Sequence, residues 1–172
     1  MSADRDVKGL SLPELFHIGW VVRDCAAAEE RMVSELGAGP FRPVGEVRFD
    51  HTLVSGSLAP VNLNITFGVL GNVIVELLEP LDDRSPHAEF LAEHGEGLHH
   101  LAYLVTDFDR QLAAAGAVNP PMQLLIDGTG PGNPLRWAYL DADAAPGAVI
   151  ELIERSEAAE AAFAPVLELL HR

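Results

Sequence analysis

The chain has 172 residues, of which 48% are apolar and 22% charged, a composition that fits one globular domain and excludes a disordered chain or a fibre. With 11 basic residues against 26 acidic ones the formal net charge is −15, which excludes broad binding to a phosphate backbone or an anionic membrane surface. Cys25 is the lone cysteine, so neither an intramolecular disulfide nor a thiolate metal cluster can form.

Met1 to Leu10 lacks the apolar core of a secretion signal, and no run approaches the ~18 apolar residues of a membrane span, so a cytoplasmic protein is expected. Phe16 to Val22 reads as a strand, closed by Asp24 as the N-cap of a helix over Ala26–Leu36 that Gly37 ends. A loop and further strands follow, the last of them Val73–Glu79 after a turn at Gly71. Asp82 and Asp83 read as turn residues, and Pro86 opens a short helix to Glu93.

His99 to Val105 is the next strand, with Asp107 expected to cap a helix over Phe108–Ala115 and Gly116 to end it. Asn119 to Pro134 reads as one long Pro/Gly-rich loop. Its Gly128–Gly132 stretch lacks the Lys and Ser/Thr of a phosphate loop and fits a lid or a plain connection. After Gly147 comes the strand Ala148–Glu154. Between Glu157 and His171, the residues Phe163, Val166, Leu167 and Leu170 form an apolar stripe at helical spacing, for a C-terminal helix packed on the body or on a second copy in a homodimer. Pro165 is expected to kink or begin that helix.

The chain repeats itself. Phe16-His17-Ile18-Gly19-Trp20-Val21-Val22-Arg23-Asp24 lies without gaps over His99-His100-Leu101-Ala102-Tyr103-Leu104-Val105-Thr106-Asp107, with His17 over His100. Val73–Glu79 lies over Ala148–Glu154, with Glu76 over Glu151. The halves run from about 13 to 80 and from 96 to 155, with no linker between them, so 13–155 is expected to fold as a single domain and 156–172 to add the helix. Two-fold pseudosymmetry would bring equivalent strands together and turn His17, Glu76, His100 and Glu151 toward one point. Two imidazoles and two carboxylates form a nitrogen and oxygen set suited to one divalent ion, whether Zn, Mn, Fe, Co or Ni. Against this stands the ordinary role of a strand histidine, a hydrogen-bonded core residue, and of a strand carboxylate, which can face solvent from alternate positions.

The segments Phe16–Val22, Gly97–Tyr103 and Val149–Leu152 resemble the vicinal oxygen chelate superfamily, which includes glyoxalase I, methylmalonyl-CoA epimerase, extradiol dioxygenases and resistance proteins. Within it, Glu76–Leu81, Arg84-Ser85-Pro86 and Gly97–His100 are most similar to the epimerase branch. The resemblance implies an α+β fold of paired βαβββ modules forming a curved, open mixed sheet around a metal. It gives ligand roles to His17, Glu76, His100 and Glu151, leaving His99 to point the other way as a structural or supporting residue. Two features depart from the epimerase pattern. Tyr139–Asp143 replaces its His-Pro-Lys stretch, and Asn62 and Asn64 lie where some epimerases carry a base.

The expected activity is Lewis-acid enolisation of a carbonyl or thioester small molecule by an epimerase, isomerase or glyoxalase-type lyase, with Glu151 or Glu76 as the base. Two alternatives stand beside it: an extradiol-type Fe(II) dioxygenase, and a metal-free protein that binds a small molecule. Trp20, Phe67, Tyr103, Trp137 and Tyr139 are candidates to line the pocket. Arg42, Arg84 and Arg136 are candidates to meet an anionic substrate, and His51, His87 and His94 have no repeat partner and no assigned role.

Overall fold

The computed structural model describes residues 9–130 and 135–171. Each half of the chain begins with a strand and a helix. In the first half these are β1 (His17–Val21) and α1 (Cys25–Leu36), followed by β2 (Phe41–Phe49), a short hairpin of β3 (Leu53–Val54) and β4 (Ser57–Leu58), and the long strands β5 (Val61–Leu70) and β6 (Val73–Pro80). After α2 (Pro86–His94), the second half repeats the pattern as β7 (Gly97–Val105), α3 (Phe108–Ala117), β8 (Gln123–Asp127), β9 (Trp137–Asp141) and β10 (Val149–Glu154). The C-terminal helix α4 (Glu157–Leu167) ends in a 3-10 turn over Glu168–His171.

The ten strands form one mixed sheet in the order β2-β5-β6-β1-β7-β10-β9-β8-β3-β4. Within each half the first and last strands pair in parallel, β1 with β6 and β7 with β10, while β1 and β7 join the halves antiparallel. This is the paired βαβββ arrangement, with the four site-bearing strands side by side at its centre. Asp50–Thr52 is the whole connection from β2, at one end of the sheet, to β3, near the other. So few residues span only ~13 Å, which forces the ends together and curls the sheet.

Alternation along the strands sorts side chains between the two faces. The concave face holds Val21, Leu63, Ile65, Phe67, Ile74, Leu78, Trp137, Tyr139 and Ile153 in one core, closed by Phe163 and Val166 of α4. On the convex face Leu77 packs with Val22, Cys25 and Ala28 under α1. There too, Ala138, Leu140, Ile150 and Leu152 pack under α3.

Helix ends follow local chemistry in most places. The Asp24 carboxylate accepts the Ala27 N–H at 2.9 Å, and Gly37 ends α1 in the left-handed conformation at φ 66°. Asp82 accepts the backbone N–H groups of Arg84 at 2.9 Å and Ser85 at 2.6 Å, the expected turn role. Ser85 caps α2, with Pro86 in its first turn.

Several local expectations are corrected. Asp107 makes no side-chain cap, because its carboxylate is taken by Gln111 and Arg110. Gly116 lies inside α3 rather than after it. The stretch read as one long loop contains β8, a short strand that is stable only as an addition to β9. Pro131 and Gly132 of the proposed lid, with the rest of the long loop to Pro134, lie outside the described residues, as does the N-terminal segment to Lys8. Helix α4 runs through Pro165, and it buries Phe163 and Val166 while Leu167 and Leu170 stay 41% and 38% exposed. No helix among the described residues is long and apolar enough to cross a membrane.

Candidate metal centre and its cavity

The centre is built on four adjacent strands. Inward positions alternate along β1, so His17, Gly19 and Val21 face the concave side. Glu76 of β6 lies opposite Gly19, and Glu151 of β10 lies opposite Ala102 of β7. A bulge in β7 skips His99 in the pairing with β1, so that His100 falls opposite Gly19. A Cβ at position 19 would overlap the His100 ring, and glycine is what lets the imidazole cross β1 to the centre.

His17, Glu76, His100 and Glu151 converge, all at least 93% buried. The two Nε2 atoms are 3.2 Å apart. Glu76 Oε2 is 3.1 Å from His17 Nε2 and 3.2 Å from His100 Nε2. Glu151 Oε2 is 3.3 Å and 3.2 Å from the same two atoms. Donors bound at about 2.0–2.2 Å to one centre stand roughly 3.0–3.4 Å from each other when adjacent, so the spacing matches a shared divalent ion. Orientation agrees with distance. Glu151 Oε2 is buried and close to both imidazoles, yet it makes no aligned hydrogen bond. The four heads gather around one interior point, an arrangement that suits a cation. A solvent-facing role for either carboxylate is excluded by this burial.

Charge at the centre is finely opposed. Burial pushes the His17 imidazole down, but the Glu76 charge and the two carboxylates close beside the ring outweigh it and raise its pKa to about 9. Burial likewise pushes the Glu76 carboxyl up, and the His17 and His100 imidazoles outweigh it, holding Glu76 below the usual carboxylate range.

A second ring of residues fixes His100, and sequence reasoning assigned no role to one of them, His87. Tyr139 Oη lies 3.1 Å from His100 Nδ1 and 3.1 Å from His87 Nε2. With Nε2 turned to the centre, His100 donates its Nδ1–H to the Tyr139 oxygen, whose own O–H donates to His87. His99 does not point away as expected. The bulge keeps it inside, with Nδ1 3.2 Å from His100 Nδ1 and its ring against Phe90, His87 and Tyr139. Burial pushes the His87 and His99 imidazoles down to about 3 and about 2, so both are neutral acceptors. His87 has no counterpart in the repeat because it comes from α2, the connector between the halves. Its one sequence signal was its place one residue after the helix-opening Pro86.

A cavity of about 270 Å³ opens from the centre, bounded by β2, β5, β9 and α4. Of the aromatic candidates, Phe67, Trp137 and Tyr139 line it, and Trp20 and Tyr103 do not. None of the three arginines reaches it. Arg136 pairs with Asp109 at 2.6 Å and Glu154 at 2.7 Å, Arg84 with Asp83 at 3.4 Å, and Arg42 is exposed on β2. Asn62 and Asn64 face the opposite side, where Asn64 Nδ2 donates to Glu79 at 2.8 Å. Leu63 and Ile65 take the cavity positions of that strand. The Cys25 thiol is buried under α1 beside Glu79 and pushed up to about 12, so it stays protonated and takes no part.

Fold and centre together define the class. Residues 16–119, more than half of the chain, match the model of the Glyoxalase/Bleomycin resistance protein/Dioxygenase superfamily, and the chain belongs to that superfamily. Among particular relatives, it is 34% identical over 93 residues to an uncharacterized protein, YqjC, of Bacillus subtilis, a match over 54% of this chain and 65% of that one. It is also 34% identical over 94 residues to the ethylmalonyl-CoA/methylmalonyl-CoA epimerase of Cereibacter sphaeroides, over 54% and 61% of the two chains. The match therefore spans less than two thirds of either relative. The crystal structure of methylmalonyl-CoA epimerase from Mycobacterium tuberculosis superposes with a TM-score of 0.61 at 25% identity, covering 88% of this chain and 94% of that one.

Proposed function

We propose that the protein is a divalent-metal-dependent enzyme that enolises a carbonyl or thioester substrate, as an epimerase, an isomerase or a glyoxalase-type lyase. The observation behind this reading is the convergence of two Nε2 and two carboxylate oxygen atoms at 3.1–3.3 Å on the floor of a cavity. His17, Glu76, His100 and Glu151 would hold the ion. When bound, a divalent ion would supply Lewis acidity that favours negative charge on a carbonyl oxygen. Similarity to an epimerase sequence supports the reaction class.

The remaining roles belong to the chain. Glu151 and Glu76 both line the cavity, and either would serve as the base that takes a proton from carbon and returns it. Tyr139 is the other acid on the wall. Burial, with the Glu151 and Glu76 charges, holds its phenol well above the usual range, and its oxygen is engaged by His100 and His87. It positions His100 and does not serve as the base.

The test is the Glu151→Gln variant. It should fold with the wild-type circular dichroism spectrum, retain less metal by elemental analysis, and lose solvent deuterium exchange into candidate ketones and thioesters. Wild-type exchange rates in that variant would overturn the role.

A further inference from the structure

The wall of the cavity limits what the centre can accept. Beyond His17, Glu76, Glu151 and Tyr139, the described lining is apolar, with Val47, Phe49, Leu63, Ile65, Trp137 and Phe163 as its main surfaces. No Lys or Arg lines it among the described residues. We propose that the site takes an uncharged molecule, a carbonyl group carried on a compact apolar aryl or branched-alkyl body. This rests on the reading of the centre as a Lewis-acid site.

Three observations carry it. First, an anionic group facing Leu63 and Ile65 would be buried without a partner, which is costly. Second, Glu76 and Glu151 together cancel the charge of a divalent ion. The centre then has no net attraction for a carboxylate, and a chain of net charge −15 repels anions at longer range. A neutral oxygen donor escapes both penalties. Third, α4 forms a wall rather than a rim. Its Phe163 packs at 4.9 Å against Phe16 and 6.1 Å against Phe67, which bounds the cavity and favours a compact body. Burying a phenyl group on such a wall is worth roughly ten- to a hundredfold in affinity.

The experiment uses the Trp20→Phe variant, which leaves Trp137 on the cavity wall as the one tryptophan reporter. Acetophenone, acetone and methylmalonate are titrated into chelator-treated protein and into the same protein reloaded with Zn(II). Acetophenone should bind at least tenfold tighter than acetone, and methylmalonate weakest, with both ketones gaining from Zn(II). Equal affinity for the two ketones, or methylmalonate binding as tightly as acetophenone, overturns the proposal. If Zn(II) changes none of the affinities, the metal reading fails. In that case a tenfold preference for the phenyl compound in ion-free protein still supports an apolar ligand, and its absence removes that as well.

Discussion

Gly19 exists to make room for His100. The two residues are register partners across the junction of the halves, and any side chain at position 19 would occupy the space of the imidazole. Gly19→Ala should therefore displace the His100 ring while leaving the strand intact. The expected result is a folded protein with at least tenfold weaker metal affinity, read by competition with a coloured chelator. Unchanged affinity would show that His100 is not a ligand.

Metal removal should lower stability, because the four heads come together only in the folded chain and an ion bound there favours that state. At a thousandfold excess over the dissociation constant the gain is about 4 kcal/mol, or roughly 10 °C in a domain of this size. Differential scanning calorimetry with and without a chelator checks this. Coincident transitions at saturating ion would sink the site.

Tyr139→Phe keeps the ring and removes the oxygen that accepts from His100 and donates to His87. Loss of such support typically costs ten- to a hundredfold in metal affinity. The Co(II)-loaded variant should also show a shifted visible spectrum, which a purely packing role would not produce.

Acid should destabilise the protein through His87 and His99. Their pKa values fall from 6.5 to about 3 and about 2 on folding. Below pH 6.5 the unfolded chain takes up protons that the folded one refuses, so stability falls as the pH drops through that window. For His87 the loss between pH 7 and pH 5 is about 2 kcal/mol. Urea unfolding of His87→Gln, which keeps an acceptor for Tyr139, should show a correspondingly flatter pH dependence. A slope equal to wild type would mean that His87 takes up its proton as readily in the folded chain as in the unfolded one.

The sequence alone determined the duplication, and with it the four residues that converge on one point. Equivalent places in a repeated pattern survive as spacing, and Glu76 within Val-Ile-Val-Glu-Leu-Leu is legible as a carboxylate on a strand with apolar neighbours. The Asp24 cap and the Gly37 stop were legible too, since both act within a single turn of chain. Tertiary structure decided the rest. Strand β8 has too few residues to announce itself and forms because β9 offers an edge. The bulge at His99 arises from pairing β7 with β1, a contact between residues distant in sequence. His87 reaches Tyr139, behind His100, from a connector that the repeat does not contain, and the apolar character of the cavity appears only when β2, β5, β9 and α4 curl around one space. Local chemistry is written in neighbouring residues, whereas these features depend on which distant backbones the closing sheet brings into contact.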